Sequence, residues 1–218
     1  MRIGSVNVGM PAPLRGPGGA TVPSGIVKAP VAGRIHVGRT NLAGDGQADL
    51  TVHGGPDKAV YAYPAEHYPV WARELGRDDL RPGHFGENLT IEGLLEDDVL
   101  IGDRFRMGTA LLEVSQPRIP CFKLGIRMGD PGFLKPFLRS GRLGFYLRVV
   151  EEGDLAAGDA IARDGRGDPE ESIASLARLF AGGGAPEEFA RAAAAPALED
   201  GWKVLMLRRA DALTRRAR

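Results

Sequence analysis

Ala110-Leu111-Leu112-Glu113-Val114-Ser115-Gln116-Pro117-Arg118-Ile119-Pro120-Cys121-Phe122-Lys123 changes character halfway along. In Ala110–Ser115, Ala110, Leu112 and Val114 fall on one face, and Leu111, Glu113 and Ser115 on the other, as a strand requires. Pro117 and Pro120 then remove two backbone donors and press the preceding residues towards extended geometry. A rigid strand thus leads into a stiff loop that is predicted to be neither helix nor central strand. That loop carries Cys121, the only cysteine of the chain, which therefore has no internal disulfide partner. Its chemistry is that of a small packed apolar group, a nucleophile or a ligand. Arg118, Lys123 and Arg127 add positive charge nearby, which favours thiolate over thiol, and thiolate binds soft transition metals.

Outward from this strand, short apolar alternations punctuated by Gly and Pro run up to about residue 163, the pattern of a barrel or sandwich. Further strands are expected at Arg2–Val8, Gly25–Val27, Gly33–Val37, Ala48–Val52, Ala59–Tyr63, Asn88–Ile91, Arg104–Met107 and Phe145–Val150. Leu100-Ile101-Gly102-Asp103 and Ala156-Ala157-Gly158-Asp159 echo one another, two Gly-Asp turns that each feed an apolar strand. One helix interrupts this region, starting near Glu66 and ending at Gly76. Beyond Asp164-Gly165-Arg166-Gly167 the texture turns helical. Asp168-Pro169-Glu170-Glu171 reads as a helix start, Gly182-Gly183-Gly184 as a break and Pro186 as a second start. Leu198–Leu213 reads as a third helix. The fold class expected is mainly β within α+β: a closed β-barrel-like domain over 1–163, then a three-helix unit over 168–214 packed against it.

The chain has 218 residues, 43% apolar and 26% charged, as in ordinary globular proteins. Its 28 basic residues balance 28 acidic ones, so nothing suggests a nucleic-acid partner. No stretch is apolar for the length of a membrane span, no secretory pattern opens the chain, and one cysteine argues against a disulfide-built secreted protein. A cytoplasmic setting is the expectation.

Three further segments are richer in functional groups than packing requires. One is Tyr61 to Trp71, where Tyr63, Glu66, His67 and Tyr68 crowd the helix start as packing or surface residues. In Asp49-Leu50-Thr51-Val52-His53-Gly54-Gly55-Pro56-Asp57-Lys58-Ala59-Val60-Tyr61, paired glycines allow close backbone approach and Lys58 follows, so the loop could cradle an anion. It could equally be a plain Gly-Gly turn, since it lacks the spacing of a phosphate-binding fingerprint. In Gly83-His84-Phe85-Gly86-Glu87-Asn88-Leu89-Thr90, Asn88 could present its amide to a heterocycle, or the run could simply be a glycine-kinked corner. His53, His67 and His84 with Cys121 lack zinc-ligand spacing. A Cys–His nucleophile would need His53 or His84 beside the thiol, and no spacing places either there.

Taken together, the Asp49–Tyr61, Gly83–Thr90 and Gln116–Leu124 segments resemble the MOSC domain, the module related to the C-terminal part of molybdenum-cofactor sulfurases. The tail, Ser172–Leu179 and Leu198-Glu199-Asp200-Gly201-Trp202, is similar to the three-helix extension of the YiiM-like branch, although Gly201 stands where a helix former is expected. The resemblance implies a barrel-like fold that binds the molybdenum cofactor (molybdopterin), a pterin dithiolene with a phosphate tail. It implies that Cys121 ligates molybdenum or carries sulfur as a persulfide. It further implies reduction of N-hydroxylated compounds such as hydroxylaminopurine. Lys58, Arg118 and Lys123 would neutralise the cofactor, His53 with Gly54 and Gly55 would shape the pocket floor, and Asn88 would touch pterin or substrate. His53 or His84 would supply the proton that releases water. With no cysteine set for an iron–sulfur cluster and no dinucleotide fingerprint, electrons would come from a separate reductase. A non-catalytic carrier of cofactor or persulfide sulfur is the alternative. A homodimer is left open.

Overall fold

A computed structural model describes residues 1–51 and 53–216. The chain opens with β1 (Arg2–Val8), a β2 (Ala12–Arg15)/β3 (Thr21–Ser24) hairpin, β4 (Ala29–Pro30), β5 (Ile35–Gly38) and β6 (Asn41–Leu42). Then come β7 (Val60–Pro64), α1 (His67–Leu75), β8 (Leu89–Glu92), β9 (Arg104–Met107) and β10 (Ala110–Pro117). Two short helices, α2 (Phe122–Met128) and α3 (Leu134–Arg139), precede β11 (Phe145–Glu151), β12 (Gly153–Leu155) and β13 (Ile161–Arg163). The chain finishes with α4 (Ile173–Phe180), α5 (Pro186–Ala194) and α6 (Asp200–Arg216).

The main sheet runs β13-β9-β10-β11-β7-β8-β1-β4, antiparallel except for the β7–β8 pair. It does not close into a barrel by a continuous ladder. β4 covers the end of β1 at Asn7 and Val8, while the start of β1 meets the other edge at one bridge, Arg2 with Ala160. Three backbone bonds reinforce that seam: Ile3 N–H to Asp159 O (2.9 Å), Gly158 N–H to Ile3 O (2.8 Å) and Ile161 N–H to Met1 O (3.0 Å). β13 is only three residues long, too short to pair along the length of β1. The architecture is therefore mixed α+β around one large, strongly curled sheet.

Long alternating segments behave as their pattern dictates, and β1, β9, β10 and β11 lie where the apolar alternation puts them. The two Gly-Asp turns are equivalent in detail. Asp103 Oδ2 accepts the Leu100 N–H at 3.0 Å, and Asp159 Oδ2 the Ala156 N–H at 2.9 Å. α1 has Glu66 at its N-cap and left-handed Gly76 at its C-cap, as expected.

Three expectations need correction. Gly25–Val27 is loop, because Ser24 Oγ takes the Ile26 N–H at 3.2 Å and bends the chain. Ala48–Val52 is no strand over its described part: Asp49 Oδ1 accepts both the N–H (3.0 Å) and the hydroxyl (2.6 Å) of Thr51, and this local turn outcompetes a ladder. Val52 itself lies outside the described residues. Asp168 does not cap a helix but folds a turn onto Glu170 N–H (3.0 Å). The cap of α4 is Ser172, whose Oγ accepts the Ser175 N–H at 3.0 Å.

Two apolar clusters organise the interior. The larger joins the sheet (Ile3, Val6, Phe105, Leu112, Leu147) to the last three helices (Ile173, Leu176, Phe189, Trp202, Met206). The smaller is aromatic, with Tyr61, Tyr63, Trp71, Phe85, Phe133 and Phe137 under α1–α3. The Trp71 indole donates to Tyr63 Oη at 2.7 Å, so the polar tips of the aromatic cluster are satisfied inside it. No helix among the described residues is long and apolar enough to cross a membrane.

Candidate functional site

Cys121 closes the short loop 118–121 as the N-cap of α2, while Gln116 and Pro117 belong to β10 and Phe122 already opens the helix. It is half-buried and opens on a cleft lined by His53, Gly54, Lys58, Asn88, Arg118 and Lys123, with Lys28, Gln47 and Tyr146. Burial pushes the thiol pKa up. A hydrogen bond to His53, the Arg118 charge and the Lys123 backbone N–H outweigh it, bringing the pKa from 9.0 down to about 7. A large fraction of Cys121 is thus thiolate at neutral pH, in the state that attacks electrophiles and binds soft metals.

A bulge in β10 assembles these walls. The pairing with β11 shifts between Val114 and Gln116, which turns Ser115 out of the ladder. Its hydroxyl donates to Asp57 O at 2.5 Å and lies 3.1 Å from Tyr146 O, while its carbonyl accepts the Glu199 N–H at 3.2 Å. Arg148 donates to Asp57 Oδ1 at 2.7 Å and so holds the same turn from the other side. Gly54 and Gly55 both have left-handed φ, 85° and 86°, which a side chain would resist, and a Cβ on Gly54 would press Gln47 Oε1 at 3.1 Å. The distance in sequence between His53 and Cys121 is therefore bridged by Ser115, which could not be read from spacing.

Arg118 is only 5% exposed, and its Nη1 has no hydrogen-bond partner among the described residues. The guanidinium lies 5.3 Å from the Tyr61 ring centroid and 5.4 Å from that of Phe137. A buried donor left over at the wall of a cleft, on a residue that cannot deprotonate, is a place for an anionic acceptor. Lys28, missed in the sequence, is buried at the far side of the cleft. It pairs with Asp45, while burial pulls its pKa down. Tyr146 was missed too. It sits in a strand whose alternation marks faces without saying which face borders a cleft.

The sequence-derived residues divide. His53, Gly54, Lys58, Arg118, Cys121 and Lys123 are brought together; Gly55 stands behind them as the start of the Pro56–Lys58 turn. Asn88 lines the cleft, but its side chain serves the fold. Its Oδ1 accepts the Tyr61 N–H (3.1 Å), and its Nδ2 donates to Asp45 Oδ2 (2.8 Å) and Asn7 O (3.4 Å). His84 is carried away from the thiol to Arg77 (3.4 Å), near Asp79 and Arg127. Burial and the Arg127 and Arg77 charges lower its pKa to about 4, so it is neutral at pH 7 and does not border the cleft. His67 is bonded to buried Glu96 at 2.8 Å, and His36 is an exposed partner of Asp154 at 3.1 Å. Among the described residues no three His, Cys, Asp or Glu side chains are grouped to hold a metal ion. A metal at Cys121 would need its remaining ligands from a cofactor.

The site thus gathers one activated thiol, several cations and an arginine whose Nη1 has no partner among the described residues, a setting suited to an anionic ligand. YflK of Bacillus subtilis, described as an uncharacterized protein, is 40% identical over 96% of this chain and 94% of its own length. The crystal structure of YiiM from Geobacillus stearothermophilus superposes with a TM-score of 0.80 at 36% identity, covering 96% of this chain and 98% of that one. A protein of Gibberella moniliformis named as a reductase is 38% identical over 74% of this chain, which spans 29% of that protein. A MOSC domain model matches residues 49–162. The chain belongs to the MOSC domain family.

Proposed function

We propose that this protein is an oxidoreductase that binds the molybdenum cofactor and reduces N-hydroxylated compounds, with electrons supplied by a separate reductase. The observation that carries the reading is the cleft around Cys121, lined both by a thiol with a pKa near 7 and by a buried arginine whose Nη1 has no partner among the described residues. The residues present fit the cofactor. Cys121 offers the soft ligand, Arg118 with Lys58, Lys123 and Lys28 offers positive charge to phosphate and dithiolene, and the Gly54-Gly55 turn offers close backbone approach. When bound, the cofactor supplies two-electron chemistry that no side chain here can perform.

The overall change is R–NHOH plus two electrons and two protons to R–NH2 plus water. What the protein's own residues do is bind, orient and hand over protons. His53 is bonded to the thiol and borders the reacting space, so it is the candidate to hold and deliver a proton. The rigid β10–Ser115–Asp57 connection keeps His53 and Lys58 in register with Cys121, as preorganised catalysis demands.

The test is direct. Protein made in a molybdate-replete host is expected to carry near-stoichiometric molybdenum and, with reduced viologen, to convert 6-N-hydroxylaminopurine to adenine. Purified protein without molybdenum, or loaded protein without turnover, would overturn the reading. A second reading, transfer of persulfide sulfur, is favoured by one observation, the activated thiol beside His53. Cyanide-releasable sulfur on Cys121 in the absence of turnover would establish it instead.

A further inference from the structure

Cys121 borders two clefts rather than one. The second shares His53, Lys58, Ile119, Cys121 and Tyr146 with the first but lies against the start of α6. Its own walls are Gln116, Pro117 and Pro120 on the β10 side and Glu199, Gly201, Trp202 and Leu205 on the helix side. The two differ in charge. The first gathers Lys28, Arg118 and Lys123 in addition to the shared residues, whereas the second adds no cation and one carboxylate, Glu199.

Glu199 is held firmly. Its backbone N–H reaches the bulged Ser115 carbonyl at 3.2 Å, and its Oε2 accepts the Trp202 N–H at 3.0 Å. This also accounts for Gly201, a residue that costs a helix roughly 0.5–1 kcal/mol relative to alanine. A Cβ there would stand 3.0 Å from Glu199 Oε2 and 3.1 Å from Oε1. Glycine at 201 leaves the carboxylate its place at the cleft wall.

We propose, resting on the reductase reading above, that this second cleft is the substrate-binding half of the site and that Glu199 is its specificity residue. Trp202, Leu205, Ile119 and Pro120 form an apolar wall for a flat ring. The Glu199 carboxylate accepts an N–H adjacent to the reacting N–OH. The favoured class is N-hydroxylated amidines and amino-heterocycles. Anionic N-oxygenated compounds are repelled by the same carboxylate.

The test uses the protein as purified from a molybdate-replete host, without reductant, so that binding is read apart from turnover. The chain has two tryptophans, both buried; Trp202 lines this cleft, whereas Trp71 sits in the aromatic cluster. Benzamidoxime is expected to quench a fluorescence component that Trp202→Phe removes. Glu199→Gln, which retains a capping oxygen, is expected to raise the benzamidoxime Kd at least fivefold, with Glu199→Asp recovering part of the loss. Leu205→Arg is expected to block binding at some loss of melting temperature, since Leu205 packs against the core, whereas Glu199→Gln is expected to keep wild-type molybdenum content and melting temperature. With viologen, Glu199→Gln raises KM for 6-N-hydroxylaminopurine more than it lowers kcat. Wild-type Kd and KM in both Glu199→Gln and Leu205→Arg would overturn the proposal even if turnover is robust. Absent molybdenum with intact, Glu199-dependent benzamidoxime binding would overturn the reductase reading and leave the subsite standing.

Discussion

The His53-Gly54-Gly55 loop and the Gly83–Thr90 loop look alike in sequence, each a histidine among glycines ahead of a strand, yet they do opposite work. The first ends at the thiol, with His53 bonded to Cys121 and Lys58 at the cleft wall. The second is folded around its own carboxylate. Glu87 is fully buried and accepts from the Tyr68 hydroxyl, Gly83 N–H (2.7 Å), Phe85 N–H (3.2 Å) and Thr90 hydroxyl (2.8 Å). Polar residues whose capacity is saturated within a loop hold that loop together. Polar residues that face an opening are available for chemistry. The difference is satisfaction, and composition does not report it.

Several experiments would break or sharpen this contrast. Cys121→Ala is expected to abolish reductase turnover, by a hundredfold or more, and to shift the melting temperature by about 2 °C or less, since the site is half-buried. Full turnover in that variant would remove the first loop's claim to the active site. Glu87→Ala should do the reverse. Four donors lose their buried acceptor, so urea unfolding is expected to show a loss of about 3 kcal/mol or more. A loss below about 1 kcal/mol would mean that the second loop is not held by its carboxylate. Arg118→Met, which keeps the packed stem, is expected to cut molybdenum content at least several-fold at near-normal stability. Unchanged metal content would leave Nη1 unexplained.

The thiol titration separates the two histidines more finely. The thiolate is the form that iodoacetamide alkylates, so the rate is expected to rise with pH to a midpoint near 7. His53→Ala removes a hydrogen bond that favours thiolate and should move that midpoint up, slowing alkylation at pH 7 about tenfold per unit. His84→Ala should leave the midpoint where it is. The smallest effect concerns acid. His84 is held neutral in the fold, with its pKa lowered from 6.5 to about 4, so its contribution to stability is present above pH 6.5 and fades as the pH falls towards 4. His84→Asn should flatten the pH dependence of unfolding across that window, and an unaltered slope would show that His84 is not desolvated.

Much of the frame was legible along the chain because alternation, glycine caps and Asp turns act within a few residues. α1 ends at Gly76 and α5 starts at Pro186 for local reasons. Legibility failed where two local rules competed. Asp168-Pro169 carries a helix-start signature, yet Asp168 folds a turn of its own and Ser172 takes over the cap. It failed again at α2, where the loop expected around Pro117 and Pro120 gives way to a helix from Phe122. Gly125 is needed there because a Cβ would meet Pro131 Cα at 3.0 Å.

The sequence by itself determined the kinds of groups present and the local elements that carry them: a lone thiol after a proline-stiffened strand, basic residues near it, a sheet-rich body and a helical tail. These follow from short-range sterics and hydrogen bonding, which neighbouring residues decide. Only the tertiary structure decided which histidine meets the thiol, that Arg118 keeps a donor without a partner among the described residues, that Asn88 serves the fold, and that α6 brings Glu199 to a cleft that Cys121 also lines. The meeting of the Asp57 turn, β11 and the start of α6 beside β10 depends on the bulge at Ser115, where a single residue leaves the ladder and bonds to all three.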